Sequence, residues 1–196
     1  PEEKKKNLSL DEFILELRNQ FLESVKMRLR SDVPVGILLS GGIDSSAIAG
    51  AAKELGNNDL TLLSLVSNES QFDESIFIDS VSDYLKWPVK RIKLPSSPAT
   101  LFNYLEEAIW YMDSPVGSFG NVAHFLLMKE AKNLGITVLL SGQGADELFC
   151  GYRKFLFFYL LTLIRKKSYL KALLVFKDFL INKTIINQFN WGEAKR

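Results

Sequence analysis

Sulfur and imidazole are nearly missing from this 196-residue chain, which holds one cysteine, Cys150, and one histidine, His124. A single thiol excludes an internal disulfide, a CxxC zinc pair and a dithiol redox couple, and fits a reducing, cytoplasmic setting. A single imidazole leaves no second ligand at metal spacing and no basis for a Ser-His-Asp triad. With apolar neighbours in a helical stretch, His124 reads as structural or solvent-facing. An excess of charge of one sign is missing too. Lysine and arginine total 24 against 23 acidic residues, a formal charge of +1, which gives no electrostatic reason for a nucleic acid or an anionic membrane as partner. The longest apolar run, Phe155 to Ile164, is about half of the roughly 20 residues that span a bilayer, so no membrane span is expected and the run reads as a buried or partner-covered helix. Internal repeats and low-complexity linkers are absent. Pro1 to Lys6 (PEEKKK) is charged, without the apolar core of a secretory signal, and the chain without an initiator methionine reads as a processed or excised piece of a longer one. Its length suits a single α/β domain, residues 1–196, with a core that needs no disulfide or metal.

Ser9 and Glu12 frame a capping box ahead of Phe13, Ile14, Leu17, Phe21 and Val25 at helical spacing, a pattern that Asp32-Val33-Pro34 breaks. Four short apolar runs follow: Val35 to Ser40, Leu60 to Val66, Val89 to Leu94 and Ile136 to Ser141. Helical stretches separate them, at Ser45 to Leu55, Asp73 to Lys86, Pro98 to Met112 and Asn121 to Leu134. Runs buried on both faces and joined by helical crossovers predict a doubly wound, mostly parallel α/β sheet with helices on both faces. Ligands in such folds bind beyond the carboxyl ends of the strands. The segment from Lys154 to Trp191 is rich in Phe, Leu and Ile and carries no readable chemistry.

The first apolar run ends in Ser40-Gly41-Gly42-Ile43-Asp44-Ser45-Ser46, immediately before a helix. Glycines there let the backbone approach an anion, backbone N–H groups and the helix dipole favour phosphate, and serine hydroxyls donate to its oxygens. Asp44 suits the Mg²⁺ that accompanies phosphates. The alternative is a tight strand-to-helix turn capped by Asp44 or Ser45. A Walker P-loop is excluded, because no GK[ST] follows.

SGGIDSS resembles the pyrophosphate-binding loop of the N-type ATP pyrophosphatases, a group that includes asparagine, NAD and GMP synthetases and argininosuccinate synthetase. The second motif, Leu140-Ser-Gly-Gln-Gly-Ala-Asp-Glu-Leu-Phe-Cys-Gly-Tyr152, is similar to the asparagine synthetase pattern LSGEGADELFGGY. Val25 to Ser46 and Asp113-Ser-Pro also resemble that family's synthetase domain, and the resemblance covers roughly residues 10 to 152. It implies an adenine nucleotide alpha hydrolase-like fold and an enzyme that uses ATP and Mg²⁺. Aspartate would be activated as an acyl-adenylate with release of pyrophosphate, and ammonia would then displace AMP to give asparagine. Ser40, Gly41, Gly42, Ser45 and Ser46 would contact phosphate. Leu39, Leu65, Ser141 and Gly142 would line the adenine slot, although core packing explains Leu39 and Leu65 equally well. Asp44 and Asp146 would share the metal, and Gln143 would contact substrate or intermediate. Glutamine-hydrolysing members carry an N-terminal glutaminase domain that this chain does not contain, so ammonia is expected from outside it.

Three positions depart from the family pattern. Gln143 stands where glutamate is usual and cannot take a proton as a carboxylate does. Cys150 replaces a glycine and reads as a packed thiol, with no basic neighbour in sequence to lower its pKa. Ser114 stands where glutamate is common. These departures keep two alternatives open: a related adenylating ligase of the β-lactam synthetase or peptide cyclase type, in which an internal amine replaces ammonia, and an ATP-binding module without catalysis.

Overall fold

Ser9 closes the predicted capping box. The backbone N–H of Glu12 donates to Ser9 Oγ at 3.3 Å and that of Ser9 donates to Glu12 Oε2 at 2.8 Å, satisfying two donors that a helix start would otherwise leave open. The Ser9 backbone bond, then its hydroxyl, holds the Glu12 carboxyl below its ordinary range. In the computed structural model, which describes residues 8–66 and 74–181, helix α1 (Leu10–Arg28) starts there. The charged start, Asp73 and everything after Ile181, including Trp191, lie outside the described residues.

Two compact units divide the chain, Pro1–Gly142 and Gln143–Arg196. The first runs β1 (Val35–Leu38), α2 (Ile43–Glu54), β2 (Thr61–Val66), α3 (Ser75–Leu85), β3 (Val89–Lys93), α4 (Pro98–Met112), α5 (Phe119–Asn133) and β4 (Val138–Leu140). The strands form one sheet in the order β3-β2-β1-β4, parallel throughout, with Gly36 opposite both Thr61 and Leu139. Alternation along the strands feeds two cores. Ile37, Leu39, Leu62 and Val66 pack with Val25, Ala49, Ala52, Ile78 and Leu85 from α1, α2 and α3. On the opposite face Leu63 packs with Ala131 of α5 and Ile136, against Leu38, Leu127 and Leu139. Helices therefore cover both faces, which is the doubly wound arrangement read from the sequence.

The edge strand β3 carries Lys90, Arg91 and Lys93, charges that discourage pairing with another chain. Lys90 Nζ lies 2.8 Å from Glu130 Oε1 and so ties β3 to α5, while Arg91 pairs with Asp79 on α3. The Lys90 hydrogen bond, helped by Asn133, holds the Glu130 carboxyl below its ordinary range. A carboxyl depressed on folding contributes stability above its unfolded pKa, and that contribution is lost as pH falls through the folded value. Denaturation of Glu130→Gln in urea is therefore expected to show a flatter loss of stability below about pH 5 than the parent chain. Superimposable acid limbs would show that the pair contributes nothing, as many exposed pairs do.

In the second unit α6 (Ala145–Phe149) is followed by α7 (Arg153–Arg165) and α8 (Tyr169–Ile181). The apolar run Phe155 to Ile164 is helical as expected. Leu163 and Ala172 are buried between α7 and α8, while Phe157, Phe158, Tyr159 and Leu173 remain exposed. Among the described residues no helix is long and apolar enough to cross a membrane.

Candidate active site

Strand β1 delivers its chain directly into the Ser40–Ser46 loop. Gly41 has φ 82, a left-handed conformation that glycine adopts without penalty, and a Cβ there would lie 3.0 Å from Phe77 Cβ and 3.4 Å from the Glu74 carbonyl. The loop then enters α2 with Gly42 as N-cap and no side chain bonded to the cap. The first-turn N–H groups of α2 are thus left to an outside acceptor or solvent.

Three serines organise the loop. The backbone N–H of Ser40 donates to Ser45 Oγ at 3.2 Å, and the two hydroxyls lie 3.1 Å apart. Ser40 Oγ accepts from the Gly42 N–H at 3.2 Å, while Ser46 Oγ donates to the Gly42 carbonyl at 2.7 Å. Ser45 is only 4% exposed, so its hydroxyl shapes the loop from inside; Ser40 and Gly42 are exposed and Gly41, Asp44 and Ser46 half-buried.

Sequence reasoning missed Ser64, which is 1% exposed in the middle of β2. Its hydroxyl donates to the Leu39 carbonyl at 2.6 Å, and the Leu39 N–H donates to the Leu63 carbonyl at 2.8 Å. Both polar groups of the residue preceding Ser40 are held, so the start of the loop is fixed from β2. A lone hydroxyl within the apolar strand TLLSLV was the available signal, since a buried hydroxyl needs a partner.

Of the two leucines expected beside adenine, Leu39 is 1% exposed and belongs to the larger core, while Leu65 is half-buried. Ser141 is exposed. Gly142, after β4, is brought against the loop: a Cβ at this position would lie 2.9 Å from Asp44 Cβ and 3.0 Å from the Ser45 backbone nitrogen. The ends of β1 and β4 therefore meet through a glycine with no room for a side chain.

Gln143 and Asp146 belong to the second unit, and both are exposed. Beside Asp146, Tyr152 donates its hydroxyl to Glu147 Oε1 at 2.7 Å. That bond holds the Glu147 carboxyl down and the Tyr152 phenol up. Cys150 caps α6 with φ 59 and is exposed. It is thus not the packed thiol expected, because a left-handed residue ending a short surface helix has no core beneath it. His124 is exposed on α5, in keeping with the solvent-facing reading. Among the described residues no group of three or more His, Cys, Asp or Glu side chains forms a metal cluster.

A family model described as asparagine synthase matches residues 16–190. This chain belongs to the asparagine synthase family. It is 38% identical over 142 residues to "Asparagine synthetase [glutamine-hydrolyzing] 1" of Bacillus subtilis, covering 72% of this chain and 22% of that protein. It is 36% identical over 146 residues to "Putative asparagine synthetase [glutamine-hydrolyzing] 2" of Methanocaldococcus jannaschii, covering 74% and 27%. Another relative, "Amidase chyE" of Penicillium rubens, is 32% identical over 161 residues, covering 75% and 24%. The matched region is about a quarter of the length of these asparagine synthase relatives. Among solved structures, an NH3-dependent NAD synthetase from Campylobacter jejuni, in complex with a nitrate ion, aligns with 21% identity and a TM-score of 0.46, over 74% of this chain and 61% of that one.

Proposed function

We propose that this chain supplies the ATP-cleaving part of an amide-forming ligase. A carboxylate substrate, aspartate in the first instance, attacks the α-phosphorus of ATP, pyrophosphate leaves, and ammonia delivered from a glutaminase domain displaces AMP from the acyl-adenylate to give asparagine. The observation that carries the reading is the junction of the family's two motifs, where Gly142 packs on Asp44 and Ser45 at the strand ends. Neither motif alone distinguishes a phosphate loop from a tight turn. A loop with Gly41 in the left-handed region, an uncapped helix start and a second glycine strand end laid against it favours the loop.

In this reading Ser40, Gly41, Gly42 and Ser46 contact the phosphates, and Ser45 holds the loop in shape. Leu65, Ser141 and Gly142 border the adenine, with Leu39 behind them as core. Asp44 and Asp146 are the proposed holders of Mg²⁺. Neither carboxylate has a hydrogen-bond or ion-pair partner among the described residues. Mg²⁺ takes one or two carboxylates and completes its shell with phosphate oxygens and waters, so a pair without a third ligand suits it. When bound, the ion offsets phosphate charge. The chain's residues do the rest by positioning the nucleotide and carboxylate in line and donating hydrogen bonds where charge develops.

Gln143 and the 32% identical amidase relative favour one second reading, an adenylating ligase with another carboxylate or an internal amine as acceptor. The test is carboxylate dependence of AMP release by the longest native form of the chain. Stimulation confined to aspartate supports asparagine formation, stimulation by an amino-bearing carboxylate alone transfers the activity to the cyclising type, and ATP binding without AMP under any condition leaves a binding module.

A further inference from the structure

Gly151 sits five residues after Asp146, and its backbone φ is not in the left-handed region, so nothing in its own conformation calls for glycine. Its surroundings do. A Cβ at position 151 would overlap Asp146 Oδ1 and lie 2.8 Å from Asp146 Cγ and 3.2 Å from its Cα. Three features bring the chain back over that carboxyl group. Cys150 turns left-handed with φ 59, the Gly151 N–H donates to the Asp146 carbonyl at 3.0 Å, and the Tyr152 hydroxyl anchors on Glu147 at 2.7 Å. The backbone of residue 151 is thereby one wall of the space in which the Asp146 carboxylate stands.

We propose that Gly151 is a positioning residue for Asp146, the missing side chain at 151 allowing the carboxylate the orientation in which it serves the metal. The proposal rests on the reading of Asp146 as a metal holder. A methyl group at 151 leaves the carboxylate two responses, since backbone shifts here would break the 3.0 Å bond. It rotates to another rotamer, or the turn opens; either way its oxygens leave their place while the rest of the chain is untouched. The arrangement explains why the turn places its bulkier residue, Cys150, at the left-handed position and keeps glycine at the next one.

Gly151→Ala, Asp146→Ala and the double variant test this in the longest native form of the chain, by thermal unfolding without metal and by Mn²⁺ binding with ATP followed by electron paramagnetic resonance. Gly151→Ala is expected to lower the unfolding midpoint and weaken Mn²⁺ binding about tenfold. The lowering of the midpoint should disappear when Asp146 is already alanine, because the clash partner is gone. If Gly151→Ala alone does not fold, recovery of folding in the double variant carries the same information. Mn²⁺ affinity within about twofold of the parent in Gly151→Ala, with weakened binding in Asp146→Ala, overturns the proposal while the metal reading stands. Parental affinity in Asp146→Ala removes the metal reading, and the proposal falls with it.

Discussion

Asp44→Asn is expected to lower AMP formation on the order of 10² to 10³-fold, the scale of losing one preorganised charge-stabilising group, with the fold intact. Asparagine matches aspartate in size and still hydrogen-bonds, so only the charge is removed. Asp44 is the second residue of α2 and half-buried. Loss of its charge at the helix N-terminus costs the fold roughly 0.3–1 kcal/mol, too little to unfold it. Paired measurements of pyrophosphate release and the unfolding midpoint separate the two effects. Full activity in Asp44→Asn would remove this carboxylate from the mechanism, whereas a collapsed midpoint would give it a structural part.

Gly142→Ala is expected to damage both stability and nucleotide binding. The new Cβ meets Asp44 Cβ at 2.9 Å and the Ser45 nitrogen at 3.0 Å. These are the backbone-proximal atoms of a helix start and have no flexible end to swing away. Overpacking of this kind costs about 1–3 kcal/mol, and because the displaced atoms belong to the phosphate loop, ATP affinity should fall roughly tenfold with it. Gly50→Ala is the control. Gly50 lies inside α2, where a Cβ would meet nothing within 4 Å, so the substitution should stabilise by about 0.5–1 kcal/mol through the helix preference of alanine and leave ATP binding unchanged. Equal effects of the two substitutions on ATP binding would dissociate the Gly142 contact from the nucleotide site.

What could be read from the sequence was what local chemistry dictates. Ser9 and Glu12 announce a helix start through their own side chains, and the four apolar runs become strands because alternate residues must be buried on opposite faces. The predicted ends moved by one to three residues where hydrogen bonding differs. β1 closes at Leu38 although Leu39 still donates to the Leu63 carbonyl, and β4 begins only at Val138. The loop Ser40–Ser46 could be found because its residue types and its place between strand and helix occur within one short stretch. Ser64 was not found, because its meaning depends on the Leu39 carbonyl 25 residues away. Gly151 was read only as part of a motif, since the demand for glycine comes from the Asp146 side chain. Cys150 was misjudged for a similar reason: burial is decided by what packs around a residue, and the end of α6 has nothing beneath it. The apolar stretch after Lys154 resolved into α7 and α8 only with tertiary structure, the break falling at Lys167 with φ 56.

The central claim is cleavage of ATP at the α-phosphorus, and the nucleotide product tests it most directly. The longest native form of the chain, given Mg²⁺, ATP, aspartate and ammonium, is expected to release AMP and pyrophosphate in equal amounts, with both dependent on aspartate. Formation of ADP and phosphate instead would contradict the account, because a loop that leaves the β–γ bond as the cleaved one is not the pyrophosphate-binding loop proposed for Ser40–Ser46.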